Sequence, residues 1–169
     1  HSDRSLGPRE DALEIYKREL GDEHPYTVEA VSKLGFHFLN RGQYTEAESL
    51  LSGVLKISRR TLGDDHPSTV GAVTQLGSFF AGQGMPAEAA PLLEEAEASS
   101  RRVLGALHSK TLHAINMLAQ LRAIQGRYDE CEELLRQALE GYRATLGEEH
   151  ADYLAAFNSM GMLLRRRGR

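Results

Sequence analysis

The stretch Leu20-Gly21-Asp22-Glu23-His24-Pro25-Tyr26-Thr27 returns as Leu62-Gly63-Asp64-Asp65-His66-Pro67-Ser68-Thr69. Its Leu-Gly-x-x-His frame appears twice more, at Leu104-Gly105 with His108 and at Leu146-Gly147 with His150. Each copy begins 42 residues after the one before. A fixed period of this size marks one supersecondary unit stacked along a line, and it directs the search for function to extended surfaces before enclosed pockets.

Between junctions the apolar pattern is helical. Val28, Val31, Leu34, Gly35 and Phe38 share one helix face, which predicts a first helix, A, over about Pro25–Arg41. Gly42 breaks it. Tyr44, Ala47, Leu50, Leu51, Val54, Leu55 and Ile57 then mark a longer helix, B, running towards Thr61. The second unit repeats this as Val70, Val73, Leu76, Gly77 and Phe80, a break at Gly84, then Ala89, Leu92, Leu93 and Ala96. The third reads Leu112, Ile115, Leu118, Ala119 and Leu121, then Gly126, Tyr128, Cys131, Leu134, Leu135, Ala138 and Leu139.

Leu13 and Ile15 fall 42 residues before Leu55 and Ile57, so the array opens on a B helix; Leu154, Phe157, Met160, Gly161 and Leu164 close it on an A helix. The predicted fold is therefore an all-α, right-handed α-solenoid of eight helices: a leading B helix, three A/B pairs and a closing A helix. Residues 11–169 read as a single array with units of about 20–61, 62–103 and 104–145 and a partial unit at 146–169, while residues 1–10 read as an added or disordered end.

Composition narrows the function classes. The chain has 169 residues, 41% hydrophobic and 26% charged, with a net charge of −4. A phosphate-tracking surface requires a basic excess, and acids lead bases by 24 to 20, so no nucleic-acid partner is expected. No apolar run reaches the roughly 18 residues of a spanning helix, and the N-terminus lacks the regions of a secretory leader, so the reading is cytoplasmic and without a membrane partner. One cysteine, Cys131, excludes an intrachain disulfide.

One register position carries Gly35, Gly77, Ala119 and Gly161, and another carries Ala47, Ala89 and Cys131. Small residues there let helices approach closely, and Cys131 stands in for alanine as a buried group. This pattern, with Gly42-Gln43-Tyr44-Thr45-Glu46-Ala47-Glu48-Ser49-Leu50-Leu51 and Gly126-Arg127-Tyr128-Asp129-Glu130-Cys131-Glu132-Glu133-Leu134-Leu135, resembles the tetratricopeptide (TPR) helix-turn-helix. The longer period and the Leu-Gly-x-x-His-Pro junction resemble the subtype found in kinesin light chains and nephrocystin-like proteins. The resemblance covers almost all of the chain after about residue 10.

Four histidines in register could suggest metal, but residues repeated once per unit lie in a row about 10 Å apart and cannot converge on one ion, so no metal site is expected. The junction reads instead as punctuation: a glycine able to adopt the left-handed conformation ends helix B, proline suits the first turn of the next helix, and the histidine falls at its N-cap. Acids open the B helices and Lys17-Arg18, Arg59-Arg60, Arg101-Arg102 and Arg143 close them, complementing the helix dipole. That basic ladder offers an outer edge for an acidic partner, and Arg165–Arg167 would favour the end of the last helix. Pro91 should bend the B helix of repeat two, which with Gly82, Gly84 and Pro86 reads as the least regular unit.

In TPR arrays the A helices line a concave groove that receives a peptide or a partner's helix. The resemblance therefore implies a partner-binding surface at non-core A-helix positions. In this chain they are Ser32, Lys33, Phe36 and Asn40 in the first A helix, Thr74, Gln75 and Ser78 in the second, His113, Asn116 and Gln120 in the third, and Asn158 and Met162 in the last. Asn and Gln can satisfy both N–H and C=O of an extended backbone. The Asn-Asn pair typical of kinesin light chains keeps only its first member, in Asn116-Met117-Leu118-Ala119 and Asn158-Ser159-Met160-Gly161.

No P-loop, dinucleotide-binding glycine turn, nucleophile elbow or metal-spaced His/Cys set occurs, so neither a catalytic residue nor a cofactor is expected. The leading reading is a non-catalytic protein-protein interaction scaffold, such as the TPR part of a kinesin-light-chain-like adaptor, with an acidic peptide as one candidate ligand. The alternative is a structural array within a larger signalling protein, for example the sensor region of a nucleotide-binding NTPase, associating with itself through its exposed terminal helices.

Overall fold

The computed structural model describes residues 15–168. Residues 15–20 are the described part of the leading helix, α1. Then follow α2 (Pro25–Asn40), α3 (Tyr44–Leu62), α4 (Pro67–Gly82), α5 (Pro86–Leu104), α6 (Ser109–Ile124), α7 (Tyr128–Thr145) and α8 (Ala151–Arg166). The even-numbered helices are the A helices and the odd-numbered ones the B helices. The expectation for residues 1–10 lies outside the described residues. By contacts the chain divides after Asp64 into two compact units, one ending with α3 and the other holding α4 to α8.

Each A helix begins in the same way. The backbone N–H groups of Tyr26, Ser68, Lys110 and Asp152 donate to Nδ1 of His24, His66, His108 and His150, at 3.3, 3.1, 3.2 and 3.2 Å. The first four amides of a helix have no intrahelical partner, and the imidazole satisfies one of them. Repeats three and four keep this cap although Ser109 and Ala151 replace the proline.

The glycine before each histidine differs from the expected left-handed cap. Gly63 and Gly105 combine φ of 84° and 89° with ψ of 168° and 161°, an extended region with positive φ that is essentially closed to residues with a Cβ. The left-handed role falls to the A-to-B turn, where Gly42, Gly84 and Gly126 have φ of 73°, 71° and 74°. There Gln43 N–H donates to Phe38 O at 2.9 Å and Gly42 N–H to Leu39 O at 3.0 Å, the paired bonds of a Schellman motif. Met85 and Gly84, and Arg127 and Gly126, repeat it.

Packing within each A/B pair rests on the small register positions. A methyl group added at Gly35 would lie 3.2 Å from Leu51 Cδ2, and one at Gly77 only 2.8 Å from Leu93 Cγ. Leu51, Leu93 and Leu135 are almost fully buried, each burial worth roughly 1.5–3 kcal/mol. In the second unit, Ala89 and Leu93 pack against Leu118 and Leu121, while Ala119, Cys131, Leu135 and Leu163 join α6, α7 and α8. A third cluster holds Leu112, Ile115, Ala138, Tyr142 and Ala156. Burial pushes the Tyr142 phenol up to about 12, aided by the charge of Asp152. In α8 only Ala156 and Leu163 are buried, and Phe157 is 57% exposed where its counterparts Val73 and Ile115 are 2% exposed.

Pro91 does not interrupt α5, and α4 and α5 have the same 16 and 19 residues as α2 and α3, so the irregularity expected of repeat two does not extend to its helix lengths. Two arginines take roles that position alone did not suggest. Arg122 stands where Phe38 and Phe80 stand in the earlier repeats, with its side chain 7% exposed; Nη2 lies 2.5 Å from Glu94 and Nε 3.4 Å from Glu130, which ties α5 to α7. Arg167 turns from its own helix end to Glu132 and Asp129 of α7, each at 2.7 Å.

Gly141→Ala would place a methyl group 2.3 Å from Leu112 Cδ2 inside a filled core. The overlap, about 1–3 kcal/mol, outweighs the gain of up to about 1 kcal/mol in helix propensity. Chemical denaturation of Gly141→Ala should show a loss of about 1–2 kcal/mol, largely recovered by adding Leu112→Val, since Val70 occupies that register position opposite Ser99. Arg122→Ala should cost roughly 1–3 kcal/mol by emptying a buried position and unpairing Glu94, while Glu130 keeps Arg127, whereas Arg122→Phe should hold or raise the melting temperature.

Candidate functional site

The residues expected to form a partner surface separate into those free to bind and those already committed. In the first unit Phe36 and Asn40 are exposed and Ser32 is half-buried. Lys33 is exposed but lies 2.7 Å from Glu29 one helical turn away, and hydrogen bonding to Glu29 raises its pKa. Its charge is therefore shared before any ligand arrives.

In the second unit Thr74 does not act as expected. It is buried, and its hydroxyl donates to Val70 O at 2.8 Å, within its own helix. A threonine hydroxyl bonded back to the preceding turn has no donor left for a peptide. Gln75, Ser78 and Asn116 differ from it. Gln75 Oε1, Ser78 Oγ and Asn116 Oδ1 are buried and accept or donate no hydrogen bond. Leaving such an atom without a partner costs about 1–3 kcal/mol, and all three lie beneath the surface of the adjacent A helices α4 and α6.

Further along, α6 and α8 enclose a cavity of about 300 Å³. Gln120, Ala123 and Ile124 of α6 form one wall, Ser159, Met162 and Arg166 of α8 the other, and Cys131, Leu135 and Leu163 the floor. Its origin is a change of size at one register position. Met117 packs against the core where Ser159 stands one repeat later, and the shorter side chain leaves the space open. Of the expected residues, Gln120 and Met162 thus line one cavity, with Met162 59% exposed. Ser159, in the register column of Lys33, Gln75 and Met117, and Arg166, expected only to favour the end of the last helix, join them.

Two nearby groups are electrostatically quiet. Burial pushes the Cys131 thiol up, so it stays protonated, and no cation opposes the shift. His113 keeps much of its surface exposed, yet desolvation by the surrounding protein holds its pKa below the usual histidine value against the pull of Asp152. Asn158 is exposed.

The outer edge is different in kind. Arg60 pairs with Glu23 and Arg102 with Asp65, each reaching back to the preceding junction, while Lys17, Arg59 and Arg143 meet Asp22, Asp64 and Glu148 five residues on. Arg101 is held by Glu97 at 2.6 Å. The basic ladder expected as an edge for an acidic partner is thus paired with the protein's own acids along its described length. Among the described residues no helix is long and apolar enough to cross a membrane, and no three His, Cys, Asp or Glu side chains are grouped to hold a metal.

Comparison with known proteins agrees with the fold. The tetratricopeptide repeat model matches residues 27–102 and 110–169, and a second model of the same description matches residues 10–26. A crystal structure of nearly identical TPR-like repeats from Podosopora anserina, assigned to a kinesin light chain, is 29% identical with a TM-score of 0.76, covering 95% of this chain and 76% of its own. A point variant of that protein is also 29% identical, with a TM-score of 0.77. BtubC (BKLC) from P. vanneervenii shares the fold at 19% identity and a TM-score of 0.81; this chain spans 64% of its length. No curated protein matches by sequence. Kinesin-light-chain-like TPR repeats, in an all-α solenoid class that serves as a protein-interaction scaffold, account for the fold. The chain belongs to the tetratricopeptide repeat family.

Proposed function

We propose that this chain is a non-catalytic scaffold that holds an extended peptide on the A-helix face of its second unit, as the TPR part of a kinesin-light-chain-like adaptor. The observation that carries this reading is the open cavity between α6 and α8, with Gln120, Ser159 and Arg166 on its walls. Amide and hydroxyl groups there can bond the N–H and C=O of an extended peptide backbone without depending on side-chain identity. Selectivity would then come from the cavity, whose apolar walls and floor suit one apolar side chain of the ligand. Arg166 lines the same space and makes no ion pair among the described residues, so an acidic residue beside that side chain is favoured.

The test is selection of a random peptide display library on the immobilised protein, followed by titration of the enriched peptides. Ser159→Met, which restores the side chain found at Met117, should fill the cavity and weaken binding by about tenfold or more with the melting temperature unchanged. Gln120→Ala should weaken the same peptides by about fivefold, the value of one hydrogen bond. Enriched peptides that bind both variants as well as the parent would place the site elsewhere.

A further inference from the structure

The third junction departs from the other three at several positions together. Where they carry Asp22-Glu23, Asp64-Asp65 and Glu148-Glu149, it carries Ala106-Leu107. The position occupied by Glu19, Thr61 and Thr145 is Val103. The arginine that reaches back 37 residues to the preceding junction, Arg60 to Glu23 and Arg102 to Asp65, is replaced by Ala144, and its acidic partner in that frame is Leu107. Both members of one ion pair have thus become apolar, and Arg101, with no acid five residues on, turns back to Glu97 and to Gln137.

Nothing in the single chain rewards this exchange. Leu107 is 57% exposed and Val103 37% exposed, and Ala106 and Ala144 are exposed beside them in the same frame. An exposed ion pair contributes little, so its loss is tolerated, but solvent-facing apolar groups gathered at one loop stabilise a protein only when something covers them.

The charges around this patch indicate what covers it. Lys110 lies three residues beyond Leu107, at the start of α6, and Glu140 one helical turn before Ala144 on α7. Both are exposed, and neither makes an ion pair among the described residues. The patch therefore carries one free charge of each sign. In an isologous contact residue i meets j and j meets i, so a two-fold axis through the apolar centre would set Lys110 of each copy against Glu140 of the other.

We propose that the third junction is a self-association surface, at which two copies of this chain bury Val103, Ala106, Leu107 and Ala144 against each other. The patch is well short of the roughly 800 Å² per partner of a standard interface, so the dimer is weak and concentration-dependent. This surface is separate from the A-helix cavity and from the terminal helices.

Sedimentation velocity from about 1 μM to about 1 mM tests it, with Leu107→Asp plus Ala144→Arg as the decisive variant. That pair rebuilds the Asp65–Arg102 arrangement one repeat later, so the fold and melting temperature should be kept. The parent should pass from monomer to dimer over this range, while the double variant should remain monomeric, its dissociation constant raised at least tenfold. Lys110→Glu should also weaken the dimer, and adding Glu140→Lys should restore it. A parent monomeric throughout, or a double variant that dimerises as the parent does, would overturn the proposal.

Discussion

The structure depends on how the chain passes from one repeat to the next. A glycine with positive φ and extended ψ turns the chain out of a B helix, and three residues later a histidine ring caps the A helix that follows. Neither step tolerates a shift of one residue. A Cβ at the glycine would force the backbone from that region, and moving the histidine would leave a helix amide without its acceptor. Once both are fixed, the A helix starts at the same rotational phase in every repeat. The small positions Gly35, Gly77 and Ala119 then face the B helices, and Thr74 shares a register with Asn116 as Gln75 does with Met117.

Packing follows from that phase as a matching of sizes. Gly35 and Gly77 admit Leu51 and Leu93, and Gly141 admits the larger Leu112 where the previous repeat sets Val70 against Ser99. The same rule run in reverse creates the cavity between α6 and α8, because Ser159 does not replace the volume of Met117. Core and cavity are thus governed by one variable, side-chain volume at fixed register, and the sequence can change the cavity without disturbing the junctions.

Helices and junctions were legible because they depend on local chemistry: apolar spacing, a glycine, a capping side chain. The cap was legible at His24 and His66, which precede proline; His108 and His150 make the same bond without it. Less legible was anything set by a distant residue. Thr74 looked like its column neighbours, yet back-bonding to Val70 removes it from the surface, while Asn116 in the same column keeps a free oxygen. The arginines at the ends of the B helices looked like an open basic edge, but their acids lie in the preceding loop, 37 residues away for Arg60 and Arg102. Arg122 in a phenylalanine position gave a sequence signal only when compared with Phe38 and Phe80, and its partners came from two other helices. The threonines that follow each of the first three junctions, Thr27, Thr69 and Thr111, are fully buried, a core role that their polarity concealed.

The central functional claim is that a ligand enters between α6 and α8. The four methionines provide reporters, since Met162 lines the cavity, Met117 and Met160 lie on the same two helices and Met85 sits in the α4–α5 turn. Methyl NMR of methionine-labelled protein, titrated with a peptide selected from a random library, reads the location directly. The account predicts that the Met162 methyl shifts most and that Met85 stays in place. A titration that moves Met85 and leaves Met162 unchanged would contradict it.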